Sequence, residues 1–340
     1  AVSAAFTATA PAASAAPPRP AGDQVVMLGT GGGPVINPDA ARPASALVVG
    51  GAVYLVDCGA DTPQQLVAAG LTFNQVSNVF LTHQHLDHTS GLPTLAAHGW
   101  VAQPHIPSVV DVWGPPPMST LTEGIPATYA EGIELFSIGN AFGPFPDLRP
   151  HDVVAAPGAA PVRVLEDANV VVDAVWVQHT IPYAYAYRFT LKSSGKVVVF
   201  SGDVVANEPN LIALARGCDV LVHEALDPDR VEDIVANLPE PARSVLRGRI
   251  TGGHTSVYDV PGVAKAAGAK KLVLNHYTPV PQRPSDWLRK ARQAARQVGY
   301  TGEVVAPGDL DVVRVPQTPA RAARVHTCSS SSWARARSRW

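Results

Sequence analysis

The sequence predicts one large α/β domain, and three observations predict it. The chain has 340 residues, 46% of them hydrophobic, enough to bury a large core in a single domain. Short apolar and β-branched runs recur along it and read as buried strands, alternating with stretches of helical character. Several of those strands end in a histidine, aspartate or glutamate, which is how an open α/β architecture furnishes a binding edge.

Composition excludes some classes. The formal net charge is −2, so no global basic bias points to nucleic acid. No apolar run reaches the roughly 18 to 20 residues of a membrane span. The 3 cysteines have no C-x-x-C spacing, and Cys58 and Cys218 sit in apolar runs as buried thiols.

Residues 1–22 are Ala/Pro-rich with almost no charge, the composition of a mobile leader remnant left by a processed export signal. That places the protein in the periplasm or outside the cell, with the cytoplasm as the alternative. The folded domain is expected over 23–315. Gln24–Gly29 is a strand running into Gly31-Gly32-Gly33. No Gly-Lys-Ser/Thr follows, so this is a tight turn passing close to the site rather than a phosphate loop. Strands at 45–49 and 52–56 flank Gly50-Gly51 as a hairpin. Asp57, which ends the second, either orients a ligand histidine or its loop, or is a turn residue. A helix near Thr62–Ala69 follows.

Val79-Phe80-Leu81 is then a buried strand, and four metal-capable side chains follow within six residues: His83, His85, Asp87 and His88. A loop leaving a strand can aim His83 and His85 at one ion and Asp87 and His88 at a second. Imidazole and carboxylate at this density suit zinc, with manganese or iron as alternatives. Thr89–Pro93 opens a helix through Ala97. The Pro-rich insert 101–165 contains a strand at Trp113, a helix over Met118–Ala130 and an aromatic loop at Phe142 and Phe145. An insert of this kind roofs a site, its three aromatics serving as substrate wall or plain core. Val170–Val177 is a strand leading to His179, the third imidazole. Ala184–Leu191 and Lys196–Phe200 form a hairpin that ends in Asp203, a carboxylate able to bridge two metals. Asp219–Val222 leads to His223 and Glu224. His254 precedes a helix at Val260–Ala267, and Lys271–Leu274 leads to His276. A helix over Asp286–Val298 and a last strand near Val304–Val315 close the domain. Residues 316–340 are Arg/Ser-rich and expected to be a disordered tail. His98, His105, His151 and His326 are read as surface groups.

The H-x-H-x-D-H stretch resembles the signature of the metallo-β-lactamase superfamily. The resemblance implies two zinc ions, one held by His83, His85 and His179, the other by Asp87, His88 and His276, with Asp203 shared and a bridging hydroxide as nucleophile. The shared Asp203 argues against a dedicated β-lactam hydrolase. Ser201-Gly202-Asp203, Leu221–Ala225, Gly253-His254-Thr255, Leu274-Asn275-His276, Trp113-Gly114-Pro115, His179–Pro182 and Tyr187-Arg188 look like the ribonuclease Z branch, over roughly 24–315. That branch implies an αββα sandwich, two mixed sheets flanked by helices, and a homodimer. It also implies catalytic roles for Asp87 and for His254, which attends the leaving group or transition-state oxygen while Glu224 orients it.

Two departures direct the expected substrate elsewhere. tRNA-processing members carry a Lys-rich arm, whereas 101–165 holds almost no Lys or Arg, and an exported protein does not meet precursor tRNA. The expectation is therefore a dinuclear zinc hydrolase of a small-molecule ester, of the aryl sulfate or phosphodiester type, with no nucleic-acid partner. The alternatives are a lactone or carboxylic-ester hydrolase on the same site, and RNA 3′-end processing or nucleic-acid binding. No G-x-S-x-G supports a serine mechanism.

Overall fold

The computed structural model describes residues 22–33, 35–279 and 282–316; the expectations for a leader and for an Arg/Ser-rich tail fall almost wholly outside them. Strand β1 (Gln24–Gly29) is followed by the hairpin of β2 (Ala44–Val49) and β3 (Ala52–Val56), where Val49 faces Ala52 and both corner glycines have positive φ, as predicted. Helix α1 (Thr62–Ala68) leads to β4 (Val76–Phe80), then to the single turn α2 (Leu86–Thr89) and α3 (Leu92–Val101). The Pro-rich stretch supplies β5 (Val109–Gly114), α4 (Met118–Thr128), α5 (Ala130–Ser137), β6 (Asp147–Asp152) and β7 (Val162–Glu166). The rest runs β8 (Val170–Trp176), β9 (Tyr185–Leu191), β10 (Val197–Phe200), α6 (Pro209–Leu214), β11 (Val220–Leu226), α7 (Pro228–Val235), α8 (Ala242–Thr251), α9 (Val260–Ala267), β12 (Lys271–Thr278), α10 (Pro284–Val298), β13 (Glu303–Val305) and β14 (Val312–Arg314).

Among the described residues these strands form two 7-stranded sheets, ordered β14-β1-β2-β3-β4-β5-β6 and β13-β12-β11-β10-β9-β8-β7. Both are mixed. The first is antiparallel from β14 to β3 and parallel onward to β6; the second is parallel from β13 to β10 and antiparallel onward to β7. Their inner faces pack together through Met27, Leu47, Phe80, Tyr187, Phe189 and Val222. Phe80 sits edge-on to Phe189 at 5.1 Å and to Tyr187 at 5.6 Å, and burying rings of this size contributes about 2–3 kcal/mol each. Helices α1, α3 and α4 cover the outer face of the first sheet, and α6, α9 and α10 that of the second. The expected αββα sandwich is the observed architecture. No helix among the described residues is long and apolar enough to cross a membrane.

Two local expectations need correction. The single last strand is two, one in each sheet, because Pro307-Gly308 and the positive φ of Leu310 (67°) break the run and let the chain cross between sheets. The α7–α8 pair was not foreseen. It buries a small apolar cluster in which Val231, Val235 and Leu238 stand at the i, i+4 and i+7 spacing of a helix. Of the insert's aromatics, Trp113 stacks between Phe80 and His151, and Phe142 and Phe145 pack edge-on to Trp100. All three make core-type contacts.

Candidate metal centre

Strand direction gathers the chemistry. β3 and β4 are parallel, as are β10, β11 and β12, and β8 runs with them across β9. Their carboxyl ends lie at one edge of the sandwich, where the structure brings together all nine predicted site residues. His83, His85, His179 and Asp203 present ligand atoms within 4.8 Å of one another, and so do Asp87, His88 and His276. Asp203 lies between the groups: its Oδ2 is 3.7 Å from His83 Nε2, 3.4 Å from His88 Nε2, 3.9 Å from His179 Nε2 and 3.3 Å from His276 Nε2.

The donor set fits divalent metal. His83 Nε2 and His85 Nδ1 converge to 2.8 Å, and His179 Nε2 approaches the same Nδ1 at 3.3 Å. Imidazole nitrogens crowd in this way around a shared cation. His88 Nε2 and Asp203 Oδ1 are buried without a hydrogen-bond partner, a costly arrangement unless a ligand takes them up. Burial, the largest influence, together with neighbouring imidazoles pushes His83 well down, and burial pushes His85 and His179 down, which leaves these three as neutral imidazoles, the form able to bind metal. Burial alone would raise the carboxyl groups of Asp87 and Asp203, yet the surrounding histidines hold both below the usual range.

A supporting shell fixes which nitrogen faces inward. His88 Nδ1 meets Asp57 Oδ2 at 2.9 Å, His83 Nδ1 meets Thr82 Oγ1 at 3.1 Å, His276 Nδ1 meets Thr278 Oγ1 at 3.3 Å, and His179 Nδ1 donates to the Gly253 carbonyl at 2.7 Å. Asp57 also accepts from the Thr82 N–H at 2.8 Å. Of its two sequence readings, the orienting one is what the geometry supports. Asp57 and His276 are among the few non-glycine residues at positive φ (59° and 46°), strain the packed edge holds in place. The glycine turn passes close, as expected. A Cβ at Gly32 would overlap the His276 ring and the Thr278 hydroxyl, and the Gly33 N–H donates to Asp87 Oδ2 at 2.9 Å. Buried Arg42 holds that loop by donating to the carbonyls of Gly32, Gly33, Val35 and Ala40. Sequence reasoning missed Arg42, Thr82 and Thr278; only adjacency to His83 and His276 could have flagged the two threonines.

Beside the cluster, His254 Nδ1 lies 3.3 Å from Glu224 Oε2 and 3.9 Å from Asp203 Oδ2. Glu224 Oε1 accepts from the N–H of Thr255 at 2.6 Å, which clamps the loop carrying His254. Burial pushes the His254 imidazolium down, but Glu224 and Asp203 outweigh it and hold it raised to about 9. His223, the residue before Glu224, turns the other way. β11 alternates faces, and His223 Nδ1 donates to the Glu224 carbonyl at 2.7 Å.

The model of the Metallo-beta-lactamase superfamily matches residues 40–241. A protein named ribonuclease Z from Mycobacterium bovis (strain BCG / Pasteur 1173P2) is 28% identical over 297 residues, covering 86% of this chain and 98% of its own. One of the same name from Mycobacterium sp. (strain KMS) is 30% identical over 273 residues, covering 80% and 90%. In fold, the chain resembles the short form of human tRNase Z, at TM-score 0.61 and 23% identity over 86% of this chain and 99% of that one. These relatives correct two expectations. The small-ester substrate and the absence of a nucleic-acid partner are overturned by full-length relatives named as ribonucleases. The physical reason is that net charge and a Lys-poor insert speak for the average and for one segment, not for the surface that borders the site. Sequence match, sandwich and histidine-rich edge agree: the chain belongs to the metallo-beta-lactamase superfamily, among relatives named ribonuclease Z.

Proposed function

We propose that this protein is a metal-dependent phosphodiesterase that cuts RNA, holding two divalent ions, zinc by donor type. His83, His85 and His179 hold one ion, Asp87, His88 and His276 the other, and Asp203 serves both. Two such ions supply Lewis-acid polarisation of the phosphoryl group and a water acidic enough to react at neutral pH. The observation that carries the reading is the Glu224–His254 pair beside that donor set, in a chain 30% identical to a ribonuclease Z.

The protein's own groups divide the remaining work. Glu224 Oε2 faces His254 Nδ1 at 3.3 Å, and Nε2 is the nitrogen that serves the reaction. With its proton held to about 9, His254 is charged at neutral pH and donates that proton to the oxygen leaving phosphorus as the P–O bond breaks. Asp87 remains ionised despite its burial, oriented by the Gly33 N–H, and accepts a hydrogen bond from the attacking water. Cys58 and Cys218 are buried and their thiols are pushed up to about 12, which removes them as nucleophiles.

The test is an end-labelled RNA hairpin with a single-stranded 3′ extension, incubated with zinc-loaded protein with and without chelator. Chelator-sensitive cleavage is expected. Intact RNA with bound zinc would overturn the reading.

A further inference from the structure

We propose that the outer face of α10 is a track for the RNA phosphate backbone leading to the metal edge. The inference rests on the RNA reading above and adds where the polyanion lies. α10 buries Trp287, Ala291, Ala294 and Ala295, and Trp287 stacks on Tyr277 with ring centroids 4.9 Å apart, which fixes the opposite face outward. On that face Arg289, Arg292 and Arg296 recur at i, i+3 and i+7, all exposed, and the N-cap Arg283 is exposed as well.

These charges differ from two arginines on other helices. On α7 and α8, Arg230 pairs with Asp233 at 2.9 Å and Arg247 with Glu232 at 2.6 Å, the mixed-sign pattern of an ordinary solvated surface. α10 carries one carboxylate, Asp286, 3.8 Å from Arg289, with both side chains exposed and the pair worth little. Among the described residues, no carboxylate lies within 4.0 Å of Arg283, Arg292 or Arg296. Four guanidinium groups thus face one acid along about 20 Å of helix, roughly six base-pair steps of a nucleic-acid strand. Guanidinium offers phosphate a planar, two-pronged donor.

The track also leads somewhere. Lys290 reaches Asp227 Oδ2 at 2.5 Å, and the Asp227 N–H donates at 2.7 Å to the carbonyl of Thr278, two residues past His276. The start of α10 is therefore pinned beside the metal edge. A groove of about 660 Å³ lined by Arg283, Arg289 and Lys290 extends to Asp39, on the loop whose Gly33 bonds Asp87.

The experiment compares the full chain with the triple variant Arg289→Gln/Arg292→Gln/Arg296→Gln. Fluorescence anisotropy follows binding of a labelled RNA hairpin with a 3′ tail between about 50 and 200 mM salt. The variant is expected to bind at least about tenfold more weakly at the low-salt end, with the slope of log Kd against log salt reduced by about 2 to 3. An unchanged melting temperature shows the helix intact. A variant matching the wild type in Kd and slope would overturn the track, as would a wild-type chain that binds no RNA. A wild type that binds RNA yet leaves it uncut sinks the functional reading, while the slope still decides the track.

Discussion

Asp57 Oδ2 lies 2.9 Å from His88 Nδ1, and the same carboxylate accepts from the N–H of Thr82, the residue before His83. One side chain at the end of β3 thus sets the orientation of a histidine in each half of the centre. Replacing Asp57 by Ala is expected to weaken zinc affinity about 10- to 100-fold while leaving the sandwich folded. Zinc titration against a competing chelator reads this, with circular dichroism as the check on fold. Wild-type affinity in the variant would return Asp57 to a turn residue.

The Asp203 carboxylate lies within 4 Å of histidines on both sides of the centre. Asp203→Ala is therefore predicted to lower bound metal below two per chain and to reduce turnover by at least about 100-fold, since on the proposed two-ion reading it removes the ligand that both ions share. Metal analysis beside rate measurement checks it. Turnover at the wild-type level contradicts the shared role.

Glu224 and His254 sit as a pair 3.3 Å apart, and their prediction concerns pH. His254 is held raised to about 9 because Glu224 and Asp203 outweigh the opposing effect of burial. A proton donor works below its pKa, so activity falls as pH rises through that value. Glu224→Gln removes one raising charge, and the alkaline limb of the kcat profile is expected to move to lower pH. His254→Ala should keep its zinc and lose rate, by about 100- to 10,000-fold. Metal loss in that variant would make His254 a ligand instead.

Far from the centre, Asp219 gives a stability prediction. Burial pushes its carboxyl up, but Lys270, the Val197 N–H and Lys196 outweigh burial and hold it below the usual range. A depressed carboxylate stabilises the fold above the unfolded-state value near 4, and that contribution is lost as pH falls through the folded-state value. Asp219→Asn is expected to cost about 1–3 kcal/mol at pH 7 in metal-free protein, with the difference from wild type vanishing in acid. Denaturant unfolding at several pH values tests it; a pH-independent difference would point to packing.

The candidate centre was legible in the sequence because its metal-capable residues follow strand ends. The β4 run stops at Phe80 and the H-x-H-x-D-H stretch begins three residues on, so period and chemistry coincide. Glu224 and His254 were legible only through resemblance, since 30 residues separate them in the chain and a contact at 3.3 Å leaves no local trace. Arg42 left none either: a buried arginine bonded to carbonyls looks like any loop arginine. The substrate was misread for a related reason. A net charge of −2 averages over the surface, and the basic face of α10 emerges only once Trp287 and the alanines are seen to be buried.

The most direct measurement of the central claim is a zinc titration read by RNA cleavage. Metal-free protein receives zinc in steps of a fraction of an equivalent, and the rate on a 3′-extended RNA hairpin is followed. The account predicts little cleavage through the first equivalent, a rise through the second and a plateau at about two per chain. Full activity without metal, or intact RNA once two equivalents are bound, would contradict it.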